Sequence, residues 1–147
     1  MIVRRETLVS APPEEVWRVV SNPARLPAWW PSVSRVEDAS PEAWTKVLLS
    51  PGGKAVRADY TRVEAEKPTR VLWRHEVEES PFERILSGST TEIAMEARDN
   101  GTLVRISVEH RPRGWARFSP FQMRAAATRQ VSGALDGLVS LFREEDG

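Results

Sequence analysis

The chain has 147 residues, with 21 basic and 21 acidic side chains and no cysteine. Its length suits one domain with one core, expected over residues 1–147. The balanced, interspersed charge argues against nucleic acid as a partner, and the lack of cysteine removes disulfides, thiolate metal sites and a cysteine nucleophile.

In chain order, residues 2–10 are rich in β-formers and end in Ser10-Ala11-Pro12-Pro13-Glu14-Glu15. Prolines ahead of acids in a first turn start a helix, because proline needs no N–H partner there and the acids face the helix's positive end. Val16, Val19 and Val20 follow at helical spacing beside Trp17, and Asn22-Pro23 caps a second, short helix that Pro27 and Pro31 keep short. The N-terminus turns charged too early for a signal peptide and no run is long enough to span a membrane, so the expectation is a cytoplasmic protein without membrane insertion.

From about residue 33 to 112 the texture is a meander of six strands. Its breaks are Ser50-Pro51-Gly52-Gly53-Lys54, Glu66-Lys67-Pro68-Thr69, Glu79-Ser80-Pro81 and Asp99-Asn100-Gly101, the last being a tight-hairpin signal. Thr91, Ile93 and Met95 share one strand face, and Val104, Ile106 and Val108 share another. After Arg113-Gly114 the period returns to helical: Phe121, Ala125, Thr128, Ser132, Leu135, Val139 and Phe142 form a stripe on a helix reaching about residue 143. Helices at both ends of a block of antiparallel hairpins make the fold class α+β, with about seven strands in all.

Ala11-Pro12-Pro13-Glu14-Glu15-Val16-Trp17 and Leu26-Pro27-Ala28-Trp29-Trp30-Pro31-Ser32-Val33 resemble the first- and second-helix signatures of the START-related superfamily. That superfamily (SRPBCC) includes polyketide cyclase/dehydrase-like proteins and the major birch pollen allergen. The resemblance implies a helix-grip fold, in which a curved sheet wraps the last helix and leaves a cavity used for lipids, sterols, polyketides or plant hormones. It also implies three functions: binding or transport of a small hydrophobic molecule, a cyclase or dehydratase activity, and a protein-interaction module of the chaperone-activator type.

The residues supply a physical reason for a cavity, since a bent sheet cannot lie flush on a straight helix and apolar pockets are the usual small-molecule sites. Small Ala125, Thr128, Ser132 and Gly133 on the helix leave room, while Phe121, Leu135 and Phe142 fill much of the space at each end. The expected ligand wall is Trp30, Trp73, His75, Ile93, Met95, Val104, Ile106, Val108, Phe121, Ala125, Thr128 and Ser132. Of adjacent Trp29 and Trp30, one is expected to face the pocket; Trp115 and Phe118 are candidates for a lid.

His75 shares a strand face with Val71 and Trp73, where an imidazole can exchange a proton at neutral pH or simply be a hydrogen-bonded core histidine. Tyr60, the only tyrosine, either orients a ligand carbonyl or packs across strands. These two are the catalytic candidates. His110 invites the same argument as His75. Two histidines on different strands match no metal motif, so no metal or cofactor is expected. The partner expected is a small hydrophobic molecule, and the protein itself is expected as monomer or homodimer.

Overall fold

The computed structural model describes residues 1–50 and 52–146, with side chains through Arg143; Pro51, within the predicted turn at 50–54, lies outside the described residues. The elements are β1 (Ile2–Val9), α1 (Pro13–Val20), a 3-10 turn (Pro23–Arg25), α2 (Leu26–Trp29), β2 (Val33–Glu37), β3 (Ala43–Leu49), β4 (Ala55–Glu66), β5 (Arg70–His75), β6 (Leu86–Arg98), β7 (Gly101–Pro112), a second 3-10 turn (Gly114–Phe118) and α3 (Pro120–Asp146). The seven strands form one antiparallel sheet in the order β1-β7-β6-β5-β4-β3-β2. This is the α+β helix-grip architecture: a curved sheet around a long C-terminal helix, with short helices after the first strand.

Local chemistry places the early helices. Pro13 opens α1, Glu14 and Glu15 occupy its first turn, and Val16, Trp17, Val19 and Val20 are its buried face. Asn22 accepts a hydrogen bond from the Ala24 backbone N–H at 3.2 Å, capping the 3-10 turn. Register shifts at Val33/Arg35, Arg62/Glu64 and Leu86/Gly88 interrupt the ladders, and such bulges bend a sheet. The Asp99-Asn100-Gly101 hairpin needs its glycine twice over. Gly101 has a φ of +146°, and a Cβ there would strike the Val9 carbonyl of β1.

The expected stripe on α3 is rotated in the structure. The buried face is Ala127, Val131, Ala134, Leu135, Leu138 and Phe142, whereas Phe121 and Ala125 are exposed and Thr128 and Ser132 only half-buried. Helical spacing was the right signal; aromatic bulk at Phe121 misplaced its phase, because α3 meets the sheet only from its second turn. The small residues serve a different purpose from the one expected. A Cβ on Gly133 would lie 2.6 Å from Pro31 Cγ, and one on Gly137 would strike the Trp29 carbonyl, so glycine lets the end of α2 seat directly on α3. That seating also resolves the adjacent tryptophans. The chain turns to an extended conformation at Trp30, and both rings end up buried, in edge contact at 5.4 Å.

Candidate ligand-binding cavity

Between the sheet's concave face and α3 lies a cavity of about 170 Å³. The strands contribute Lys46 and Leu48 from β3, Ala58 and Tyr60 from β4, His75 from β5, Leu86, Ser89 and Thr91 from β6, and Val108 and His110 from β7. Trp30, Phe82 and the α3 residues Ala127 and Gln130 close it. The register explains the assembly: Lys46 lies opposite Ala58, Tyr60 opposite His75, Ser89 opposite His110 and Thr91 opposite Val108, so alternate residues of five strands converge. A cavity of about 150 Å³ suffices for benzene, so the space suits a one-ring molecule.

The walls are aromatic and continuous. Successive ring centroids run Trp30–Trp73 at 5.9 Å, Trp73–Trp44 at 5.3 Å, Trp44–Tyr60 at 6.0 Å, Tyr60–His75 at 4.7 Å and His75–Phe82 at 4.8 Å. Lys46 sits inside this series. Its Nζ lies 4.4 Å from the Trp30 ring centre, 4.3 Å from Tyr60 and 5.7 Å from Trp73, and the residue is 2% exposed. Among the described residues no carboxylate lines the cavity, and Lys46 has neither an ion-pair partner nor a hydrogen bond. Burial away from water therefore drives its pKa down to about 7.

The other polar groups are similarly shaped by burial. The His75 imidazole is pushed down to about 4, first by desolvation and then by the charge of Lys46, so it is neutral at physiological pH; its Nε2 is buried without a hydrogen-bond partner. Burial raises the Tyr60 phenol. His110 Nδ1 is 2.9 Å from Ser89 Oγ, and desolvation lowers its pKa as well. Trp30 Nε1 donates to Gln130 Oε1 at 3.0 Å, tying the end of α2 to α3 at the cavity wall.

Beside the cavity the sheet is interrupted. The β5–β6 ladder ends at Arg74 opposite Thr90; beyond it the chain loops out through Phe82, and the first part of β6 pairs with β7 alone. An outer hollow of about 380 Å³ occupies this opening, lined by Arg74, Glu76, Gly88, Glu109 and Arg111 among others. It shares His75 and Ser89 with the inner cavity.

A family model described as polyketide cyclase / dehydrase and lipid transport matches residues 1–143. The chain belongs to that family. Solved structures agree in fold. The Zhui aromatase/cyclase from a Streptomyces species has a TM-score of 0.82 at 14% identity, covering 100% of this chain and 96% of that one. TTHA0849 from Thermus thermophilus has a TM-score of 0.80 at 18% identity, covering 100% of both chains. The di-domain ARO/CYC StfQ of the steffimycin biosynthetic pathway has a TM-score of 0.79 at 13% identity over 99% of this chain, which spans 51% of StfQ. No curated protein matches the sequence.

Within this family member, the structure brings Trp30, His75, Val108 and Tyr60 to the cavity wall. Trp73 stands behind it, in contact with Trp30 and Trp44. Ile93, Met95, Val104 and Ile106 are buried in the core farther along β6 and β7 and do not line the cavity, and neither do Thr128 and Ser132. Phe121 and Ala125 are exposed, away from it, as are Trp115 and Phe118. The sequence reading passes over Lys46, Ser89, Ala127 and Gln130, and it sets Thr91 on a strand face without assigning it to the ligand wall. For Lys46 a signal existed: Trp44, Lys46 and Leu48 alternate on one strand face, which makes the lysine an odd member of an apolar series.

Charged side chains on the outer face of the strands pair with one another. Arg57 pairs with Glu37, Arg70 with Glu92 and Arg98 with Glu96, and Thr45 donates to Asp59 at 2.6 Å. Solvent screening leaves such exposed pairs little weight in stability. Among the described residues no group of His, Asp and Glu is placed to hold a metal ion, and no helix is long and apolar enough to cross a membrane.

Proposed function

We propose that the protein binds a small, ring-containing organic molecule bearing a carbonyl oxygen, and that the ligand enters through the opening between β5 and β6. The observation that carries this reading is the cavity itself: aromatic and aliphatic walls with a few convergent polar groups. Trp30, Leu48, Ala58, Leu86, Val108 and Ala127 offer the apolar surface; Lys46, Tyr60 and Thr91 offer donors for one oxygen. The size sets the class. A cavity of this volume takes one ring, and a longer polyketide-like chain reaches it only by extending into the outer hollow.

A titration with 4-fluoroacetophenone followed by fluorine NMR tests the reading. The expected result is a saturable bound signal that disappears in Ala127→Leu, a substitution that fills the cavity without removing a polar group. A bound signal unaffected by that substitution, or no bound signal, would sink it.

A second reading, proton transfer of the cyclase or dehydratase type, is favoured by His75 and Tyr60 standing on the same wall with rings stacked at 4.7 Å. Enzyme-dependent exchange of the ketone's α-protons for deuterium, lost in His75→Ala, is its signature.

A further inference from the structure

The chain holds only three lysines beside its many arginines: Lys46, Lys54 and Lys67. Lys54 and Lys67 are exposed, and Lys46 alone is enclosed. Its surroundings are unusual for a cation. A buried ammonium ordinarily has a carboxylate or several carbonyl oxygens to replace its hydration, because an isolated buried charge is strongly disfavoured. Lys46 has instead three ring faces about its Nζ, on Trp30, Tyr60 and Trp73. Ring faces stabilise a cation only partly, and no oxygen acceptor among the described residues supplements them. An uncharged amine suits this cage better, and an uncharged amine has a lone pair. That lone pair belongs to a group lining the cavity.

We propose that the Lys46 amine is a nucleophile that captures an aldehyde or ketone in the cavity as a covalent imine. This rests on the carbonyl-ligand reading above and goes beyond it, from reversible binding to bond formation. The step balances within the site. Nζ attacks the carbonyl carbon, and one N–H proton passes to the carbonyl oxygen to give a carbinolamine. The second N–H proton then leaves with that oxygen as water, and a C=N bond replaces the C=O. No oxidant or reductant is consumed. Tyr60 lines the same cavity, and its hydroxyl is the group we assign to relay the proton.

The acid–base balance supports the chemistry. At neutral pH about half of Lys46 is free base, given its pKa of about 7, whereas an exposed lysine near 10.4 is almost wholly protonated. Burial keeps it so, and the other cavity groups do not oppose it: His75 on β5 is neutral, Tyr60 on β4 is un-ionised, His110 on β7 is shifted toward neutrality, and no acid among the cavity residues holds an ammonium.

The test traps the imine. The intact chain is incubated at pH 7 with 4-fluorobenzaldehyde and sodium cyanoborohydride, which reduces an imine to a stable amine, and the labelled residue is mapped by peptide mass spectrometry. Fluorine NMR of the same sample without reductant reports binding. Lys46 should be labelled at least about tenfold faster than Lys54 or Lys67, which serve as internal comparators in one sample. In Lys46→Met, the selective label should vanish. A bound signal with no label on Lys46, or with the three lysines labelled alike, overturns the imine and leaves the carbonyl-ligand reading standing. Neither signal nor label overturns both.

Discussion

A lysine on a strand usually extends its ammonium to water, and at Lys46 the aromatic face of the sheet prevents that. The desolvation recorded in its pKa of about 7 is also a stability statement. Keeping an amine with a solution value near 10.5 inside the fold costs about 4 kcal/mol at pH 7, an order-of-magnitude figure from that difference. Lys46→Met, similar in length and apolar, should therefore raise the unfolding free energy by about 2–4 kcal/mol in urea titrations at pH 7. A destabilised variant would mean that the charge is satisfied in a way the structure does not reveal. Stabilisation on removing a side chain is what a functional group held against its solvation preference produces. The same physics explains why the sequence conceals it. Hydropathy assigns lysine to the surface, and only the alternation of Trp44, Lys46 and Leu48 argues otherwise. His75 and Tyr60 were legible because titratable or amphipathic residues on an apolar strand face invite scrutiny. Ser89 and Gln130 were not, since isolated polar residues on a strand or helix give no sign of which way they face until register is known.

Among the elements, the break between β5 and β6 is the entrance we propose. The ladder there ends because the chain from Glu76 to Ile85 leaves the sheet, and the bulge between Leu86 and Gly88 shifts the first part of β6 relative to β7. Gly88 lines the outer hollow, and a Cβ added there meets Arg111 Cδ at an ordinary 3.7 Å, so a side chain at this position is tolerated. Gly88→Leu should narrow the way in without touching the inner cavity. Association and dissociation of 4-fluoroacetophenone should both slow, by about tenfold for a barrier raised by ~1.4 kcal/mol, with the dissociation constant unchanged. Unaltered exchange rates by fluorine NMR would place the entrance elsewhere. Element order was readable from the sequence because turn chemistry, proline-led helix starts and a helical period are local signals. The rotation of α3 was not, because it depends on where α2 seats. Gly133 and Gly137 accept Pro31 and Trp29 through contacts made between opposite ends of the chain.

At the scale of the whole molecule, a sheet gripping a helix satisfies the backbone and builds a core, yet it encloses three bases, His75, Lys46 and His110, that would each be better solvated outside. Their effects on stability have the same sign in different pH windows. For His75, held near 4 in the fold against about 6.5 when unfolded, the unfolded chain binds the extra proton between those values, so this contribution is present above about 6.5 and is lost as pH falls toward 4. For Lys46, held near 7 against about 10.5, the unfolded chain again binds the extra proton, so stability rises from about pH 7 toward 10.5, a range in which the neutral amine removes the burial penalty. His110, also lowered by burial, adds to the acidic window. The unfolding free energy should therefore climb with pH on both sides of neutrality, to a maximum on the alkaline side. Urea titrations across about pH 5 to 10 decide the matter when run alongside Lys46→Met, in which the rise above pH 7 should flatten while the rise below it persists. A wild-type profile already flat above about pH 7 would place a charged, solvated ammonium at Lys46. The imine would then lose its nucleophile, because the geometry that makes the amine reactive is the geometry that makes it destabilising.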